Sequence, residues 1–418
     1  MLKLRSSRLL NQALLSLFDQ AWLSALNLAI GLILIRMVSK DSYGVYSQLF
    51  AAGLFAVSML ESIVSNPLVN VVSGKPPEDR ASIIQNMGRY QGRVSTLMAL
   101  VLGAVCAGVA LALSLPDPWL LGGIFALFVK ANAQREYARS LAFLDQRPQR
   151  VLRMDLWYGA GVLLGILALM WASRLRVEGV FAVFALASVA ALPLAGESWP
   201  WRWEKRADYR ETVRQAWRRG RLALPGAGLA WGVNYSYLYL VAAWLGAAAS
   251  AELMASRLLL MPISLCVVAW ARVARPRIGE LVARRAQHEL DKLFAWSVAM
   301  LLALSAVYVL VLWQLFPWLK VYALAGKYDS AEPLLLWWGI YFAVYTVRWV
   351  GTAALMGKDN YGFLLIQDII AFCAVLAAMA LLVPGLGLAG AIIALIIVET
   401  FNLLMIWGKA LKLRKEEG

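Results

Sequence analysis

Charged and hydrogen-bonding side chains interrupt the long apolar runs of this 418-residue chain. A charge in a hydrocarbon environment costs at least about 2.5–3.5 kcal/mol, so such residues are expected to face a helix-bundle interior or a water-filled cavity. Their types indicate two kinds of chemistry. Arginine holds phosphate oxygens through two parallel hydrogen bonds, whereas a carboxylate inside an apolar segment can bind a proton or a cation.

Arg257 is the strongest candidate for contact with a ligand. The nearest acidic residue in sequence is Glu252, more than one helical turn away, and an isolated guanidinium in this position needs water, a carboxylate or an anionic ligand. The other candidates for lining a cavity are Lys130, Asn234, Tyr237 and Asn66. Internal ion pairing, or a side chain that reaches the interface, stays an open alternative for Lys130, Arg135, Glu136 and Arg348.

Composition places the chain among membrane proteins. Hydrophobic residues make up 61% of the sequence and Trp occurs 18 times, and the apolar runs reach the roughly 20 residues that cross a bilayer. The three cysteines lie in apolar runs and the single His has no nearby partner, so no disulfide, metal site or cofactor is expected.

The sequence contains no phosphate-binding loop or nucleophile motif, which argues against an ATPase or another enzyme. A glycan polymerase or ligase would need a large outside loop with catalytic residues, which is not apparent.

Six predicted membrane spans precede the basic stretch Glu197–Arg221 and six follow it. We therefore expect an all-α integral membrane protein with twelve transmembrane helices in two six-helix bundles. The bundles are predicted at residues 1–198 and 222–418, joined by a cytoplasmic connector at 199–221. Arg and Trp together in this connector are typical of a segment at the headgroup layer. The predicted spans lie near 11–38, 43–72, 94–115, 119–141, 151–172, 179–194, 222–245, 251–271, 293–316, 333–356, 362–383 and 388–407.

Basic residues are distributed unevenly between the two sides of these spans. Most of the 40 Lys and Arg fall in segments on the side of the N-terminus. The segments on the other side hold Arg36, Lys40, Arg174, Arg176, Lys320 and Lys327. The positive-inside rule then places both termini in the cytoplasm. It also accounts for the net charge of +15 without a nucleic-acid partner.

An internal repeat supports the two-bundle prediction. Arg135 precedes Asp155 by the same interval that separates Arg348 from Asp368, and one offset relates both pairs. Each half begins inside and contains six predicted spans, so the halves have the same topology. We expect them to be related by a pseudo-two-fold axis along the membrane normal, with these four residues as repeat-related structural charges.

Several segments resemble one transporter superfamily. The eighth predicted span carries Arg257, Leu258 and Pro262, with Pro276 at its cytoplasmic end. This pattern resembles the corresponding span of the multidrug/oligosaccharidyl-lipid/polysaccharide (MOP) exporter superfamily. The segments IRMVSKDSYGVYS, LAGKYDSAEPLLLWW and LGLAGAIIALIIVE are similar to its polysaccharide-transporter branch, which includes O-antigen flippases. Lipid II flippases have two more spans and several arginines in their first two spans, where this chain has Asp19 and Glu61, which argues against lipid II as substrate.

The resemblance implies a flippase and not an enzyme. Such a protein carries a polyprenyl-pyrophosphate-linked oligosaccharide across the bacterial cytoplasmic (inner) membrane by alternating access, for synthesis of O-antigen, exopolysaccharide or another polysaccharide. Its partners would be this lipid-linked substrate, membrane lipids and a candidate polysaccharide polymerase or other biosynthetic protein. The polar head would occupy a central cavity, with Arg257 on the phosphate.

Related drug antiporters of the superfamily use intramembrane carboxylates to couple transport to protons or sodium. By this resemblance Asp19 is the first coupling candidate and Glu61 the second. An ion-coupled antiporter of cationic drugs is therefore the alternative function. It is favoured if Asp19, Glu61 and Glu399 dominate the cavity over Arg257 and Lys130.

Overall fold

The structure is a computed structural model that describes residues 2–72, 75–198, 208–284, 286–328, 330–358 and 360–417. Within these ranges the backbone is almost entirely helical and contains no strand. A helix is the expected form for apolar runs, because a hydrocarbon environment requires every backbone N–H and C=O to find a partner within its own segment. The middle of the predicted connector, residues 199–207, lies outside the described residues.

Twelve α-helices are assigned in these ranges, and two shorter helical segments join them. A π-helical turn at Glu61–Ser65 separates α2 from α3, and a 3₁₀ segment at Leu192–Ser198 follows α7. The α-helices are α1 Leu2–Met37, α2 Lys40–Leu60, α3 Asn66–Val72, α4 Pro77–Ala112, α5 Pro118–Leu144, α6 Pro148–Trp171, α7 Val177–Ala191, α8 Tyr209–Leu245, α9 Ala247–Ala283, α10 Gln287–Tyr322, α11 Ala331–Gly357 and α12 Tyr361–Glu417.

Nine helical segments of the described residues are long and apolar enough to cross a membrane. Neither α5 nor α8 is among them, because polar and charged residues interrupt both. The last two predicted spans both lie in α12, on either side of Gly387, whose φ of 59° and ψ of −135° are non-helical and favour glycine. These nine apolar helices indicate a multi-pass membrane protein. The prediction of twelve spans with both termini in the cytoplasm is not tested by them.

Two helix boundaries follow directly from local sequence. Pro118 and Pro148 are the first residues of α5 and α6, where the missing N–H is not needed and the fixed φ suits the helix. The connector residues from Tyr209 onward continue without a break into the seventh predicted span, so the expected boundary at 221/222 falls inside α8.

Residue contacts divide the chain into two compact units. The first unit comprises residues 1–30 and 48–228, and the second comprises residues 31–47 and 229–418. The domain limits expected at 198 and 222 stay a prediction.

The first unit is built around tight helix packing and an aromatic core. At the α4–α5 contact, a Cβ on Gly122 would lie 2.6 Å from the carbonyl oxygen of Gly103, so both positions need the smallest residue. The rings of Phe125, Phe128 and Phe181 pack with centroids 5.0–6.0 Å apart. This core packs α5 against its neighbours, and α5 carries four of the charged residues considered below: Lys130, Arg135, Glu136 and Arg139.

The second unit has its own core between α9, α10 and α11. Buried residues from all three helices form it, including Ile278, Leu290 and Val350. Trp338 of α11 is fully buried, and its indole N–H donates to Ser256 Oγ of α9 at 3.0 Å. This bond fixes α11 against the helix segment that contains Arg257.

Candidate functional site

In the first unit, Arg135 of α5 lies in a buried cluster of charges. Its Nη1 donates to Asp155 Oδ1 of α6 at 2.8 Å, and its Nη2 donates to Glu136 Oε1 at 2.6 Å. The guanidinium carbon lies 3.8 Å from the ring centre of Tyr158, a cation–π contact. Asp155 is fully buried and Arg135 is 5% exposed, so this pair is shielded from solvent.

Arg139, one helical turn further along α5, joins the remaining carboxylates of the cluster. Its Nη1 donates to Glu136 Oε2 at 2.5 Å and its Nη2 donates to Asp19 Oδ2 at 3.1 Å. Its Nε lies 2.7 Å from Asp155 Oδ2. A single guanidinium therefore contacts carboxylates from α1, α5 and α6.

The cluster contains one more carboxylate than it has guanidinium groups. Asp19, Glu136 and Asp155 face Arg135 and Arg139, which gives a formal charge of −1 when all five are ionised. Among the described residues, the buried Oδ1 of Asp19 has no hydrogen-bond partner. A buried polar atom without a partner is costly. Asp155 Oδ2 is also without a hydrogen-bond partner among these residues, so the excess carboxylate is a property of the whole cluster and is not assigned to Asp19.

The other candidates in the first unit occupy different surroundings. Glu61 begins the π-helical turn and lines a small cavity with Gln91 and Glu136. Pro67 follows that turn; it has no N–H for the helix, and the N–H of Asn66 reaches back to the Glu61 carbonyl. Asn66 itself is exposed.

Lys130 joins α5 to α4 by donating to the Gly92 carbonyl at 2.7 Å and to Ser95 Oγ at 2.8 Å.

In the second unit, Arg257 of α9 has neutral neighbours. Its Nη1 donates to the carbonyl oxygen of Asn234 at 3.0 Å and to the hydroxyl of Tyr237 at 2.8 Å. The guanidinium carbon lies 5.3–5.9 Å from the ring centres of Tyr235, Tyr237 and Trp338. No ion pair between Arg257 and a carboxylate occurs among the described residues of this unit. The structure thus brings together three of the residues that the sequence selected: Arg257, Asn234 and Tyr237.

Arg348 of α11 forms an ion pair with Glu399 and not with Asp368, the acidic residue that the repeat associates with it. Its Nε donates to Glu399 Oε1 of α12 at 2.5 Å, and its guanidinium carbon lies 5.4 Å from the ring centre of Trp349. Glu399 is 4% exposed. Asp368 is partly buried and forms no ion pair within the described part of the chain. The two halves of the repeat therefore use their charges differently: Arg135 binds Asp155, whereas Arg348 binds Glu399.

One participant was missed by the sequence reasoning, and one was found without its partner. Arg139 was not singled out, although its spacing of four residues from Arg135 puts both on one face of a helix. Glu399 was named as an intramembrane acid, but nothing in the sequence connects it with Arg348. Whether any of these residues contacts a substrate or a coupling ion stays a prediction.

Searches of protein-family models and of curated protein sequences give no match to this chain. Solved structures do resemble it over nearly its whole length. An inward-facing multidrug resistance MATE family transporter of the MOP superfamily aligns with a TM-score of 0.70 at 11% identity, covering 94% of this chain and 99% of that one.

Two further structures extend the comparison. The lipid II flippase MurJ in an inward closed conformation aligns with a TM-score of 0.68 at 11% identity, covering 97% of this chain and 87% of the flippase. A MOP superfamily transporter from Pyrococcus furiosus, described as having a binding pocket of reversed polarity that suggests a different function, gives 0.66 at 12% identity, with 96% and 94% covered. The chain therefore has the fold of MOP superfamily transporters. Drug exporters and a lipid flippase share this fold, so the fold alone leaves the substrate undecided.

Proposed function

We propose that the protein is a flippase that carries a polyprenyl-pyrophosphate-linked oligosaccharide across the bacterial cytoplasmic membrane by alternating access. The head group of such a lipid carries charges and hydroxyls that cannot cross hydrocarbon without losing their water. A helical transporter removes this barrier by sheltering the head group while the lipid tail remains in the bilayer. The fold shared with MurJ and other MOP transporters supports this proposal.

The hydrogen bonds and aromatic contacts of Arg257 are the main support for the proposal. Both of its hydrogen bonds to described residues use Nη1, which leaves Nε and Nη2 for the side-by-side pair of hydrogen bonds that a phosphate accepts. The aromatic rings around it stabilise the cation without neutralising it. A half-buried cation held in this way favours an anionic ligand over a cationic drug.

Measuring transport by variants of Arg257 tests the proposal. Purified protein in proteoliposomes is given a fluorescent polyprenyl-pyrophosphate-linked oligosaccharide, and its movement between leaflets is measured. We expect Arg257→Ala to abolish movement and Arg257→Lys to retain part of it, because lysine keeps the charge and loses the planar fork. Arg218→Ala, at an exposed position of α8, is the control for loss of one positive charge. Full activity of Arg257→Ala would overturn the flippase proposal for this site.

A cation antiporter is the second candidate, and the charge balance of the first unit favours it. The cluster around Asp19 has an excess carboxylate and an unpartnered buried oxygen, which suits proton or cation coupling. In the flippase proposal, Asp19 couples movement of the lipid-linked oligosaccharide to an ion gradient. The Asp19→Asn variant should therefore still move this lipid, but at a rate that no longer depends on the gradient. Export of cationic dyes by the wild-type protein, unaffected by Arg257→Ala, would favour the antiporter instead.

A further inference from the structure

A small cavity in the first unit lies between α2, the π-helical turn that follows it, α4 and α5. Its volume is about 10 Å³, close to the roughly 10–15 Å³ that one water-sized sphere needs. Two larger clefts along α10 of the second unit, of about 620 and 730 Å³, have mostly apolar walls. The small cavity differs from them because several of its lining side chains carry oxygen atoms: Glu61, Ser65, Gln91, Glu136 and Tyr137.

Gln91 of α4 forms the buried side of the cavity. The residue is 1% exposed, and its Nε2 donates to the carbonyl oxygen of Ala133 on α5 at 3.1 Å. This bond fixes the amide group and turns its other end, Oε1, away from that carbonyl. Among the described residues no donor reaches Gln91 Oε1. A buried acceptor without a partner is costly, so this atom indicates an occupant that is a cation or a hydrogen-bond donor.

Glu61 forms the exposed side of the cavity. Its carboxylate makes no ion pair within the described part of the chain, and the residue is exposed. Glu61 opens the π-helical turn, a local widening of a helix that often occurs at functional sites. Gly220 of α8 packs against this turn, since a Cβ on it would lie 2.7 Å from the Cα of Ile63. The backbone that carries Glu61 is therefore held in place by α8.

The charges around the cavity indicate which kind of occupant fits. Both charged residues in its lining, Glu61 and Glu136, are carboxylates. Glu136 is paired with Arg135 and Arg139, whose guanidinium groups already face the excess carboxylate of the buried cluster. Lys130, the other cation of this part of α5, donates to α4 instead. One negative charge, that of Glu61, is left over, and a monovalent cation would balance it whereas a water molecule would not.

We propose that this cavity binds one monovalent metal cation, Na⁺ or K⁺, between the carboxylate of Glu61 and Oε1 of Gln91. The hydroxyl-bearing side chains of Ser65 and Tyr137 line the same space, and oxygen atoms are the ligands that hard cations take. The cation enters past the exposed Glu61 and stops against the buried amide. Asp19 is not part of this lining, and binding here does not depend on what the protein transports.

Thermal unfolding of the purified full-length protein in detergent tests the proposal. Unfolding is followed by tryptophan fluorescence in NaCl, KCl, CsCl or choline chloride at equal ionic strength, at a pH where carboxylates are ionised. A ligand that binds only the folded state raises the Tm as its concentration increases. We expect a saturable rise of a few degrees with Na⁺ or K⁺, the two arms showing which of them fits. Cs⁺ and choline are larger than a water molecule and should give no rise.

Two variants and a control assign the effect to the cavity. Glu61→Gln keeps the size of the side chain and removes its charge, whereas Gln91→Leu removes the buried oxygen. Each should weaken cation binding at least about tenfold, the lower end for loss of a polar group at a metal site. Glu211→Gln, at an exposed position of α8, is the matched control for loss of one carboxylate and should keep the full response. Because Glu61 is exposed, Glu61→Gln decides the question if Gln91→Leu does not fold.

Three outcomes would overturn the assignment. The same Tm in all four salts would leave the cavity to a water molecule. A rise of the Tm on acidification in choline chloride, lost in Glu61→Gln and without any effect of metal cations, would show that Glu61 binds a proton instead. A cation response that survives Glu61→Gln and disappears in Asp19→Asn would place the cation in the buried charge cluster.

Discussion

The guanidinium groups of Arg139 and Arg257 are both held by several neighbours, but those neighbours are of opposite kinds. Arg139 contacts three carboxylates from three helices of the first unit. Arg257 contacts a carbonyl oxygen, a hydroxyl and aromatic rings in the second unit. The first arrangement neutralises the cation, whereas the second leaves its positive charge available.

The difference separates a structural role from a binding role. A buried ion pair is strongly destabilised when one partner is removed, because the other charge is then left without compensation. A cation that faces neutral groups leaves no such charge behind. Removing each arginine should therefore affect stability in proportion to the carboxylates it contacts, and this order can be measured.

The largest effect on stability is expected for Arg139→Met. Asp19 and Glu136 would lose one guanidinium contact each, and Asp155 would depend on Arg135 alone. We expect a loss of about 5 kcal/mol, the upper end for breaking a buried ion pair. Unfolding in detergent, followed by tryptophan fluorescence, gives the free energy of unfolding. Addition of Asp155→Asn should restore part of the loss, and a single variant within about 0.5 kcal/mol of wild type would contradict the role given to Arg139.

A smaller loss is expected for Arg348→Met in the second unit. One carboxylate, Glu399, then remains buried and unpaired, so we expect about 3 kcal/mol, the lower end of the same range. The double variant with Glu399→Gln should be more stable than either single variant, with a coupling energy of about 0.5–3 kcal/mol in a double-mutant cycle. Additive effects would show that the Arg348–Glu399 contact contributes little. The exposed Arg284→Ala serves as control.

The smallest loss of stability is expected for Arg257→Met. The variant removes cation–π contacts worth about 0.5–2 kcal/mol and the two hydrogen bonds from Nη1, each worth about 0.5–1.5 kcal/mol. It leaves no carboxylate unpaired, so we expect a loss of about 2 kcal/mol. Measurement under the conditions used for Arg139→Met makes the three values comparable. A loss as large as that of Arg139→Met would reverse the comparison and assign Arg257 a structural role.

Much of the fold could be predicted from sequence because hydrocarbon imposes strong constraints. Continuous apolar runs of membrane length allow helices and little else, and residues such as Pro118 and Pro148 mark where helices begin. The limits of those helices were less predictable. The basic residues after Tyr209 were interpreted as a connector, yet they form the first turns of α8. The helix continues past Gly220 and Pro225, two residue types that often end a helix.

Residue pairing in the candidate site was harder to predict than residue choice. Arg257 was selected with Asn234 and Tyr237, and all three lie together, because charged and polar residues in apolar segments gather in the interior of a bundle. The repeat offset pointed to Arg348 and Asp368 as counterparts of Arg135 and Asp155, but Arg348 binds Glu399. Equal spacing along a chain does not fix the rotation of each helix about its axis, and that rotation decides which charges meet.

Two apolar clefts lie along the first half of α10, one towards α11 and α12 and one towards α9, and Ala299 lines both. In a bilayer such surfaces face hydrocarbon and not water. Acyl chains stiffen on cooling and loosen on warming far more than a packed protein core does. We therefore expect the mobility of this half of α10 to follow growth temperature and the degree of acyl-chain unsaturation.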